Sequence, residues 1–384
     1  MLKRIIKPLL LRRLAEYPAA ALLGSRQCGK TTLAQSLTGQ YFDLEQQPDR
    51  LRLDLRWNQL ISANQLIILD EAQTWPEIFP RLRGAIDQQP DRNGRFLLLG
   101  SVSPTLMVNV SESLAGRLSL LELTPFIWSE TSSREAGEKL WFYGGYPNGG
   151  FLRATRYPQW QNDYLALLTQ RDLPNWGLSA APATTMRLLR MLAATQGQVW
   201  NASRIGQSLS LDYKTVNRYM NFLTGSFLIR MLEPYQANIR KRLVKSPKIY
   251  WRDTGLLHAL LNTPDASSLI AQPWVGASWE GFVIEQLLAE LSARGRQFHP
   301  FWFRSSDGYE IDLVLEMDGE KWAFEIKLTT APGSADMRRL DKAADMIGAS
   351  RRFLISQAPD SVGDKLRAAC NLQWLLDRVI PTSH

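Results

Sequence analysis

The sequence contains little cysteine and little histidine. Its 384 residues include two cysteines, Cys28 and Cys370, and three histidines, His258, His299 and His384. Two cysteines cannot build a disulfide framework, so we expect a reducing, cytoplasmic location. The histidines are scattered along the chain and predict no histidine metal site. The sequence also shows no constellation around a serine or cysteine nucleophile.

Long apolar runs are missing as well. In the first segment, MLKRIIKPLLLRRLAEYP, the longest uncharged run is residues 8–11, far too short for a signal-peptide core or a membrane span. We therefore expect no membrane span. The segment predicts a helix packed on the first domain, and the alternative is a helix lying on a membrane surface. In the first interpretation its basic side chains are solvated, namely Lys3, Arg4, Lys7, Arg12 and Arg13.

Length and composition are those of a multidomain globular protein. A chain of 384 residues is too long to fold around a single hydrophobic core. Its content of 45% hydrophobic and 21% charged residues is ordinary for folded domains. Basic residues outnumber acidic ones by 45 to 37, which gives a net charge of +8 and a pI near 9.5. This excess favours a polyanionic partner without naming one.

The strongest motif lies in AAALLGSRQCGKTTLAQSL. An apolar strand leads into Gly24-x-x-x-x-Gly29-Lys30-Thr31 and then into an apolar-periodic helix. Such a loop presents backbone N–H groups to phosphate oxygens, while its lysine reaches the β- and γ-phosphates and its hydroxyl binds Mg²⁺. We predict that ATP is bound by the loop residues Gly24, Ser25, Arg26, Gln27, Cys28, Gly29, Lys30, Thr31 and Thr32.

A partner motif follows in QLIILDEAQ, an apolar strand that ends in Asp70 and Glu71. An acid at this position can hold Mg²⁺ together with Thr31, and the next carboxylate can activate the attacking water. Asp70 is therefore a predicted nucleotide and Mg²⁺ residue, and Glu71 is the predicted catalytic base.

Two further catalytic candidates have open alternatives. Ser101 ends the apolar run RFLLLGS and could contact the γ-phosphate or the lytic water, or be a plain turn serine. Arg117, in SESLAGRLSLLEL, could reach a neighbouring subunit's nucleotide as an arginine finger, or form a surface salt bridge. A finger requires a homo-oligomer, which we expect.

The segments GSRQCGKTTL, LDEAQ, LLLGS and SLAGR resemble a known family. It comprises prokaryotic predicted ATPases of the AAA+ superfamily (archaeal-ATPase-like) with a C-terminal half of unknown function. The later segments YGGYPNGG, TQRDL, SPKIYWRDTGLL and SWEGFVIEQLL resemble that C-terminal half, so the resemblance covers nearly the whole chain. It implies ATP binding on an AAA+ core and leaves the biological role open.

The middle of the chain predicts a hinge, a lid and a DNA-reading module. EKLWFYGGYPNGGFL is rich in glycine and proline, which favours a hinge, and an aromatic helix after it would form the lid over the nucleotide. In that lid Arg171 could be a second sensor arginine or pair with Asp172. The next segments, three short helices, a strand, a basic loop and a strand, follow the order of a winged helix-turn-helix.

The third of these helices, DYKTVNRYMNFLTGSFL, buries one stripe and leaves a polar face outside. Winged helices place this element in the major groove, and the acid-free loop QANIRKRLVKSPK suits phosphate contacts. Protein docking and simple solvation of the loop are the alternatives. The predicted nucleic-acid contacts are Lys214, Thr215, Arg218, Arg240, Lys241 and Arg242.

Two C-terminal strands, YEIDLVLE and WAFEIKLTT, flank a two-residue Asp-Gly turn. In that register Asp312 lies opposite Glu325, where two carboxylates repel unless a cation such as Mg²⁺ or Mn²⁺ lies between them. An acid followed by Glu-x-Lys on the next strand resembles the PD-(D/E)xK nuclease signature. The resemblance implies that Asp312, Glu325 and Lys327 are catalytic.

The sequence departs from the nuclease signature at one position, and it offers one additional acid for the predicted metal site. Ile311 stands where the signature has a proline, and Glu280, on the helix SWEGFVIEQLLAEL, would add a metal ligand to Asp312 and Glu325. The alternative is a hairpin face that carries only a solvated ladder of salt bridges.

The whole sequence predicts an α/β protein with four segments. They are a P-loop AAA+ ATPase core (1–138), a helical lid (139–180), a winged helix-turn-helix (181–262) and a PD-(D/E)xK nuclease-like α/β domain (263–384). We expect an ATP- and Mg²⁺-dependent ATPase that acts on DNA and whose last domain could cleave it with Mg²⁺ or Mn²⁺. The alternative is a non-nucleolytic ATP-dependent switch or regulator whose last domain only binds nucleic acid or protein.

Overall fold

A computed structural model of the chain describes residues 2–100, 114–131, 133–236 and 246–380. The predicted site residues Ser101, Arg240, Lys241 and Arg242 lie outside these ranges. No helix within them is long and apolar enough to cross a membrane.

The first region is built on a parallel sheet. Its strands stand in the order β2-β3-β4-β1-β5. Their bounds are β1 (Ala19–Leu23), β2 (Gly39–Asp43), β3 (Leu66–Asp70), β4 (Phe96–Gly100) and β5 (Leu118–Glu122). Every residue of β1 and β4 is buried because helices cover both faces, which explains the continuous apolar runs in the sequence.

Helices α1 and α2 pack on one face of this sheet, and α3, α4 and α5 pack on the other. Their bounds are α1 (Ile6–Glu16), α2 (Lys30–Gln35), α3 (Gln47–Leu55), α4 (Trp57–Ser62) and α5 (Ile78–Gln88). The carboxyl ends of β1, β3 and β4 therefore meet at one sheet edge, with β4 between the other two.

The middle region is mainly helical and ends in two antiparallel strands. Its helices are α6 (Arg134–Tyr143), α7 (Gln159–Leu167), α8 (Leu173–Asn175), α9 (Pro182–Ala194), α10 (Ala202–Leu209) and α11 (Tyr213–Gly225). The strands are β6 (Ile229–Pro234) and β7 (Lys248–Trp251).

The glycine-rich segment that predicted a hinge is packed core instead. A Cβ added to Gly145 would lie 2.3 Å from the carbonyl oxygen of Phe126, and Tyr146 is 2% exposed. The amide of Gly145 donates a 2.8 Å hydrogen bond to the buried carboxylate of Asp253. These glycines permit close backbone approach, which composition alone does not distinguish from flexibility.

The last region joins the middle one through a shared sheet of eight strands, in the order β12-β13-β11-β10-β9-β8-β6-β7. The added strands are β8 (His299–Arg304), β9 (Glu310–Met317), β10 (Glu320–Ile326), β11 (Arg351–Ser356), β12 (Val362–Gly363) and β13 (Arg367–Asn371). The helices are α12 (Thr254–Leu260), α13 (Ala266–Ile270), α14 (Val275–Ala293), α15 (Ser334–Ile347) and α16 (Leu372–Arg378).

The β9–β10 hairpin has the register that its turn predicts. Pairs such as Phe324 with Leu313 follow from a turn at Asp318 and Gly319. Both turn residues have positive φ, 54° and 78°, as a type I′ turn requires. Continuing the same register places Asp312 opposite Glu325.

The two faces of strand β10 differ as the alternation predicts. One face enters the largest core, with Trp322, Phe324 and Ile326. The other face is not a solvated ladder, because Asp312 and Glu325 are each only 7% exposed. Helix α15 covers part of that face through Met337 and Leu340. The sheet therefore buries two facing carboxylates.

Candidate nucleotide site and acidic cluster

The phosphate loop connects β1 to α2 in a conformation that depends on its glycines. Gly29 has a φ of +105°. A Cβ on Gly24 would lie 2.2 Å from the carbonyl oxygen of Leu123, so only glycine fits against the chain that follows β5. Ser25 and Cys28 are buried, Arg26 is half-buried, and Gln27 and Thr32 are exposed. The predicted loop thus has the strand before it and the helix after it.

Lys30 and Thr31 begin helix α2 and point into this site. The buried ammonium of Lys30 donates 3.0 Å hydrogen bonds to the carbonyl oxygens of Gly24 and Ser25. The Thr31 hydroxyl donates a 2.6 Å hydrogen bond to Oδ2 of Asp70, at the end of β3. The structure therefore brings together the predicted lysine, hydroxyl and acid, although β4 separates their strands.

Asp70 is fixed by further contacts. The hydroxyl of Tyr41 donates to the same Oδ2 at 2.7 Å, and the amide of Glu71 donates to Oδ1 at 2.9 Å. Burial and the Asp70 carboxylate raise the pKa of Tyr41 well above its ordinary value, so the phenol stays a donor. Sequence reasoning missed Tyr41, since nothing in its segment marks it as a neighbour of Asp70.

Glu71 lies beside this acid in a left-handed backbone conformation, with φ of 49°. Burial raises the pKa of its carboxyl group, and the ammonium of Lys30 opposes that rise. The side-chain amide of Gln73 donates to Oε2 of Glu71 and orients it. A carboxylate with a raised pKa is better suited to accept a proton from water, which fits the predicted base role.

The oxygen atoms of Thr31 and Asp70 are suitable ligands for the predicted Mg²⁺. Thr31 and Asp70 offer hard hydroxyl and carboxylate oxygens within hydrogen-bond distance of each other, next to the phosphate-cradling loop. Magnesium binds through one or two such protein ligands and keeps its remaining positions for phosphate and water. Thr31 and Asp70 are therefore the residues that would hold the ion.

Arg4 was expected to be solvated, but the structure buries it at 5% exposure beneath the phosphate loop. Its guanidinium donates to the carbonyl oxygens of Cys28 at 2.9 Å and Thr124 at 2.5 Å, and to Oε1 of Glu130 at 3.0 Å. Burial raises the pKa of Glu130, and the charge of Arg4 opposes that rise. Arg4 thus ties the loop to the segment after β5. The sequence did not predict this role, because nothing distinguishes Arg4 from the other basic residues of the N-terminal segment.

The predicted lid touches the phosphate loop through an ion pair. Asp172 accepts from Arg26 at 2.7 Å and from its neighbour Arg171 at 2.9 Å. Arg171 therefore forms the local pair that was the alternative to a sensor arginine. A further contact is a 3.5 Å hydrogen bond from the hydroxyl of Tyr164, on α7, to the carbonyl oxygen of Arg26.

Arg117 makes a surface salt bridge within the chain. Its Nε lies 2.6 Å from Oδ1 of Asp87, and both side chains are substantially exposed. This is the alternative interpretation of Arg117. Its predicted action on a neighbouring subunit stays a prediction.

Helix α11 has the predicted buried stripe, with Val216, Tyr219, Met220 and Leu223. Asp212 caps it by accepting from the amides of Lys214 and Thr215, both at 2.9 Å. Lys214 and Arg218 are exposed, and the Thr215 hydroxyl is held by Asp212 at 2.7 Å. The helix therefore presents two exposed basic side chains, of which Arg218 donates a 3.3 Å hydrogen bond to the hydroxyl of Ser179.

The nuclease-like residues form a second site, an acidic cluster that contains an unexpected lysine. Lys248, which the sequence placed in the basic loop predicted to contact phosphates, is instead the buried first residue of β7. Its ammonium lies 2.7 Å from Glu310, 3.2 Å from Glu280 and 3.8 Å from Asp312. Burial alone would lower its pKa, but these carboxylates raise it above the ordinary value, so it is charged.

Glu325 and Lys327 lie at the same cluster and pair with each other at 2.6 Å. Burial and the nearby carboxylates of Glu280 and Glu325 raise the pKa of Asp312 well above its usual range. Burial likewise raises the pKa of Glu325, against the opposing charge of Lys327. The structure therefore brings Glu280, Asp312, Glu325 and Lys327 into one cluster.

This cluster does not fit a bound metal as it is arranged. Over the part of the chain that the structure describes, no group of three or more His, Cys, Asp or Glu side chains is placed to hold one. The ammonium of Lys248 instead supplies a positive charge between the predicted ligands Glu280 and Asp312. Glu280 also accepts a hydrogen bond from the Tyr250 hydroxyl.

The fold and the phosphate site together define an AAA-type ATPase domain, and residues 16–132 match the family model described as "AAA domain". Residues 134–267 match "Domain of unknown function (DUF8612)" and residues 275–374 match "Domain of unknown function (DUF4143)".

The chain has relatives in mycobacteria. It is 40% identical over 334 residues to the uncharacterized protein Rv2008c of Mycobacterium tuberculosis, covering 85% of this chain and 74% of that protein. The same values hold for the uncharacterized protein Mb2031c of Mycobacterium bovis. The chain belongs to the family of these two proteins. A similar solved structure is the Walker-type ATPase PABY2304 of Pyrococcus abyssi, with 17% identity and a TM-score of 0.45 over 67% of this chain and 94% of that one.

Proposed function

We propose that this protein binds ATP with Mg²⁺ at the phosphate loop and hydrolyses it. The supporting observation is the convergence of Lys30, Thr31, Asp70 and Glu71 at the carboxyl edge of one parallel sheet. Each of the four has a separate role in phosphoryl transfer to water.

The roles follow from chemistry and position. The ammonium of Lys30 would neutralise β- and γ-phosphate oxygens, and backbone N–H groups of the loop would hold them. Asp70 and Thr31 would hold Mg²⁺, which when bound offsets the charge that develops on the phosphates. Glu71 would accept the proton of the attacking water, a role that its raised pKa favours.

ATP binding can be tested separately from hydrolysis with a fluorescent ATP analogue. Lys30→Ala should lose binding, because the buried ammonium is the main positive charge in the loop. Arg12→Ala removes an exposed charge from the same region and is the matched control. Equal affinity of the wild type and Lys30→Ala would sink the proposal.

We also propose that the middle and last regions act on DNA. Helices α9, α10 and α11 followed by β6 and β7 have the element order of a winged helix, and α11 exposes Lys214 and Arg218. Helix α15 adds three exposed basic side chains that pair with no carboxylate among the described residues, namely Arg338, Arg339 and Lys342. Exposed cations whose charge is not neutralised by a carboxylate favour a phosphate backbone as the partner.

The salt dependence of DNA binding tests this interface. In a fluorescence anisotropy titration of a labelled duplex, replacing Lys214 and Arg218 by Ala should weaken binding and reduce the log–log salt slope by about 2, since each phosphate contact contributes about 1. Lys139→Ala removes a surface charge from α6 and should leave the slope unchanged. If the double variant keeps the wild-type slope, these residues do not contact DNA, and the module binds a protein partner instead.

The acidic cluster bears on the choice between nuclease and switch. Asp312, Glu325 and Lys327 support a nuclease-like origin of the last region. Because Lys248 fills the cluster, the arrangement as it stands favours the non-nucleolytic ATP-dependent switch. Plasmid DNA with Mg²⁺ or Mn²⁺ should therefore stay intact with the wild-type protein lacking nucleotide, and nicking under these conditions would contradict this choice.

A further inference from the structure

Tyr41 reaches the nucleotide site from β2, the edge strand of the parallel sheet next to β3. In the register of these two strands Tyr41 pairs with Ile68 and Asp43 pairs with Asp70. Because side chains two residues apart on a strand share a face, Tyr41 lies on the same face of the sheet as Asp70. The ring packs against the cluster that contains Ile68, and the hydroxyl extends to the Asp70 carboxylate.

The carboxylate of Asp70 is held by donors from three elements. Oδ2 accepts from the hydroxyls of Thr31 at 2.6 Å and Tyr41 at 2.7 Å, and Oδ1 accepts from the amide of Glu71 at 2.9 Å. An ionised carboxylate has about four lone-pair positions, so these donors leave about one for an ion or for a water bound to it. The direction of that remaining position therefore depends on the donors that hold the carboxylate.

Helix α3 holds Tyr41 in its turn. Nη2 of Arg52, on that helix, donates a 2.7 Å hydrogen bond to the carbonyl oxygen of Tyr41. The guanidinium carbon of Arg52 lies 4.5 Å from the ring centroid of Phe42, the next residue of β2. The amide of Asp43 donates at 2.8 Å to the carboxylate of Asp49 on the same helix. These contacts add to the pairing with β3 and fix the phenol relative to Asp70.

We propose that Tyr41 is a positioning residue for the divalent ion that accompanies ATP. Its hydrogen bond holds the Asp70 carboxylate in the orientation from which the metal-dependent part of the ATP affinity arises. This role rests on the proposed ATP site and adds to it a residue from outside the phosphate loop and β3. Removing a group that orients a metal-binding side chain without touching the metal typically weakens metal affinity about 10- to 100-fold.

Nucleotide binding with and without metal tests this role without any catalytic readout. A non-hydrolysable fluorescent ATP analogue is titrated in EDTA and in saturating Mg²⁺, and the ratio of the two dissociation constants is the gain due to the metal. Tyr41→Phe removes only the hydroxyl. It should bind the analogue in EDTA as the wild type does, while its gain should fall about tenfold or disappear.

Tyr157→Phe is the matched control for this variant. Tyr157, between α6 and α7, is also half-buried, and its hydroxyl also donates at 2.7 Å, to the carbonyl oxygen of Thr263. Its removal should leave both dissociation constants unchanged. Circular dichroism checks that each variant is folded, and unchanged affinity in EDTA shows that the phosphate loop is intact.

A double-mutant cycle shows whether Tyr41 acts through Asp70. In an Asp70→Ala background, Tyr41→Phe should change the gain no further, because the carboxylate that it orients is gone. An unchanged gain in Tyr41→Phe, or a further loss in the Asp70→Ala background, would overturn the proposal. So would an equal loss of affinity in EDTA and Mg²⁺, which is the result expected of a purely structural residue. A wild-type protein that binds the analogue in neither condition would refute ATP binding itself, and the role of Tyr41 with it.

Discussion

The guanidinium of Arg252 donates a 2.5 Å hydrogen bond to the carboxylate of Glu122. Glu122 is the last residue of β5, and Arg252 follows directly after β7, so the contact ties the ATPase sheet to the sheet of the last region. Both residues line a cavity of about 30 Å³ that also reaches Ser25 of the phosphate loop and Glu285 of α14. This ionic junction therefore lies between the phosphate loop and helix α14, the helix that also carries Glu280 of the acidic cluster.

Removing Arg252 should destabilise the protein strongly. Arg252→Ala leaves the carboxylate of Glu285 with Arg230 alone and that of Glu122 without its partner, and breaking a buried pair in this way costs about 3–5 kcal/mol. Chemical denaturation monitored by fluorescence measures the change. Lys139→Ala breaks an exposed pair with Glu135 and should have no measurable effect. Equal stability of the two variants would show that the junction contributes nothing.

Arg4 should position the phosphate loop rather than react. Arg4→Ala removes the hydrogen bond to the Cys28 carbonyl and leaves Glu130 buried without its cation. Losing one charge-assisted hydrogen bond of about 1.5–3 kcal/mol corresponds to roughly 10- to 150-fold weaker ATP binding if it is lost to the loop. ATP titrations at a temperature where the variant is folded measure this.

Arg4→Lys keeps the charge but not the planar fork of donors, so it should rescue folding more than ATP affinity. Lys3→Ala, its exposed neighbour, is the control. Should Arg4→Ala bind ATP normally while melting earlier, the residue would be purely structural.

Local patterns predicted much of the fold. The loop from Gly24 to Thr31 sits between its strand and helix because each piece is encoded in adjacent residues. The hairpin register followed from a two-residue turn, since one turn fixes every later pair. The buried stripe of α11 followed from its period.

The sequence did not predict which residues far apart in the chain contact each other in the fold. Arg4 finds Glu130 across 126 positions, and nothing near either residue encodes the other. Lys248 looked like one of several loop cations, but three carboxylates of the last region surround it after folding. The glycines near Tyr146 were misassigned because close packing and flexibility require the same residue.

His258 should make stability depend on pH. It is fully buried, donates from Nδ1 to the Phe142 carbonyl and accepts at Nε2 from the Ser278 hydroxyl, so it is neutral. Burial lowers its pKa from 6.5 to about 4. Because the folded pKa is depressed, the stabilisation is complete above pH 6.5 and is lost as pH falls toward 4.

The size of this effect follows from linkage. At about 1.4 kcal/mol per pKa unit, the stability advantage of the wild type over His258→Gln should shrink by up to about 3 kcal/mol between pH 7 and pH 4. Urea denaturation at several pH values measures it, and carboxylates common to both proteins cancel in the difference. A difference that is constant over this range would mean that His258 titrates normally.

Arg117 offers a test of assembly. If it completes a neighbouring subunit's site, the ATPase rate per subunit should rise with protein concentration. Mixing Arg117→Ala with Lys30→Ala protein should then restore activity, because each subunit supplies what the other lacks. A concentration-independent rate and no recovery on mixing would leave Arg117 as the partner of Asp87 alone.

We expect Glu71 to act as the base when the phosphate site hydrolyses ATP. The most direct measurement is phosphate release alongside ATP binding for the wild type and Glu71→Gln, a change that keeps the side-chain shape and removes its basicity. Glu71→Gln should bind ATP as the wild type does and release phosphate about 10²- to 10⁴-fold more slowly, the usual contribution of a general base. Phosphate release by Glu71→Gln at the wild-type rate would contradict the assignment of Glu71 as the base.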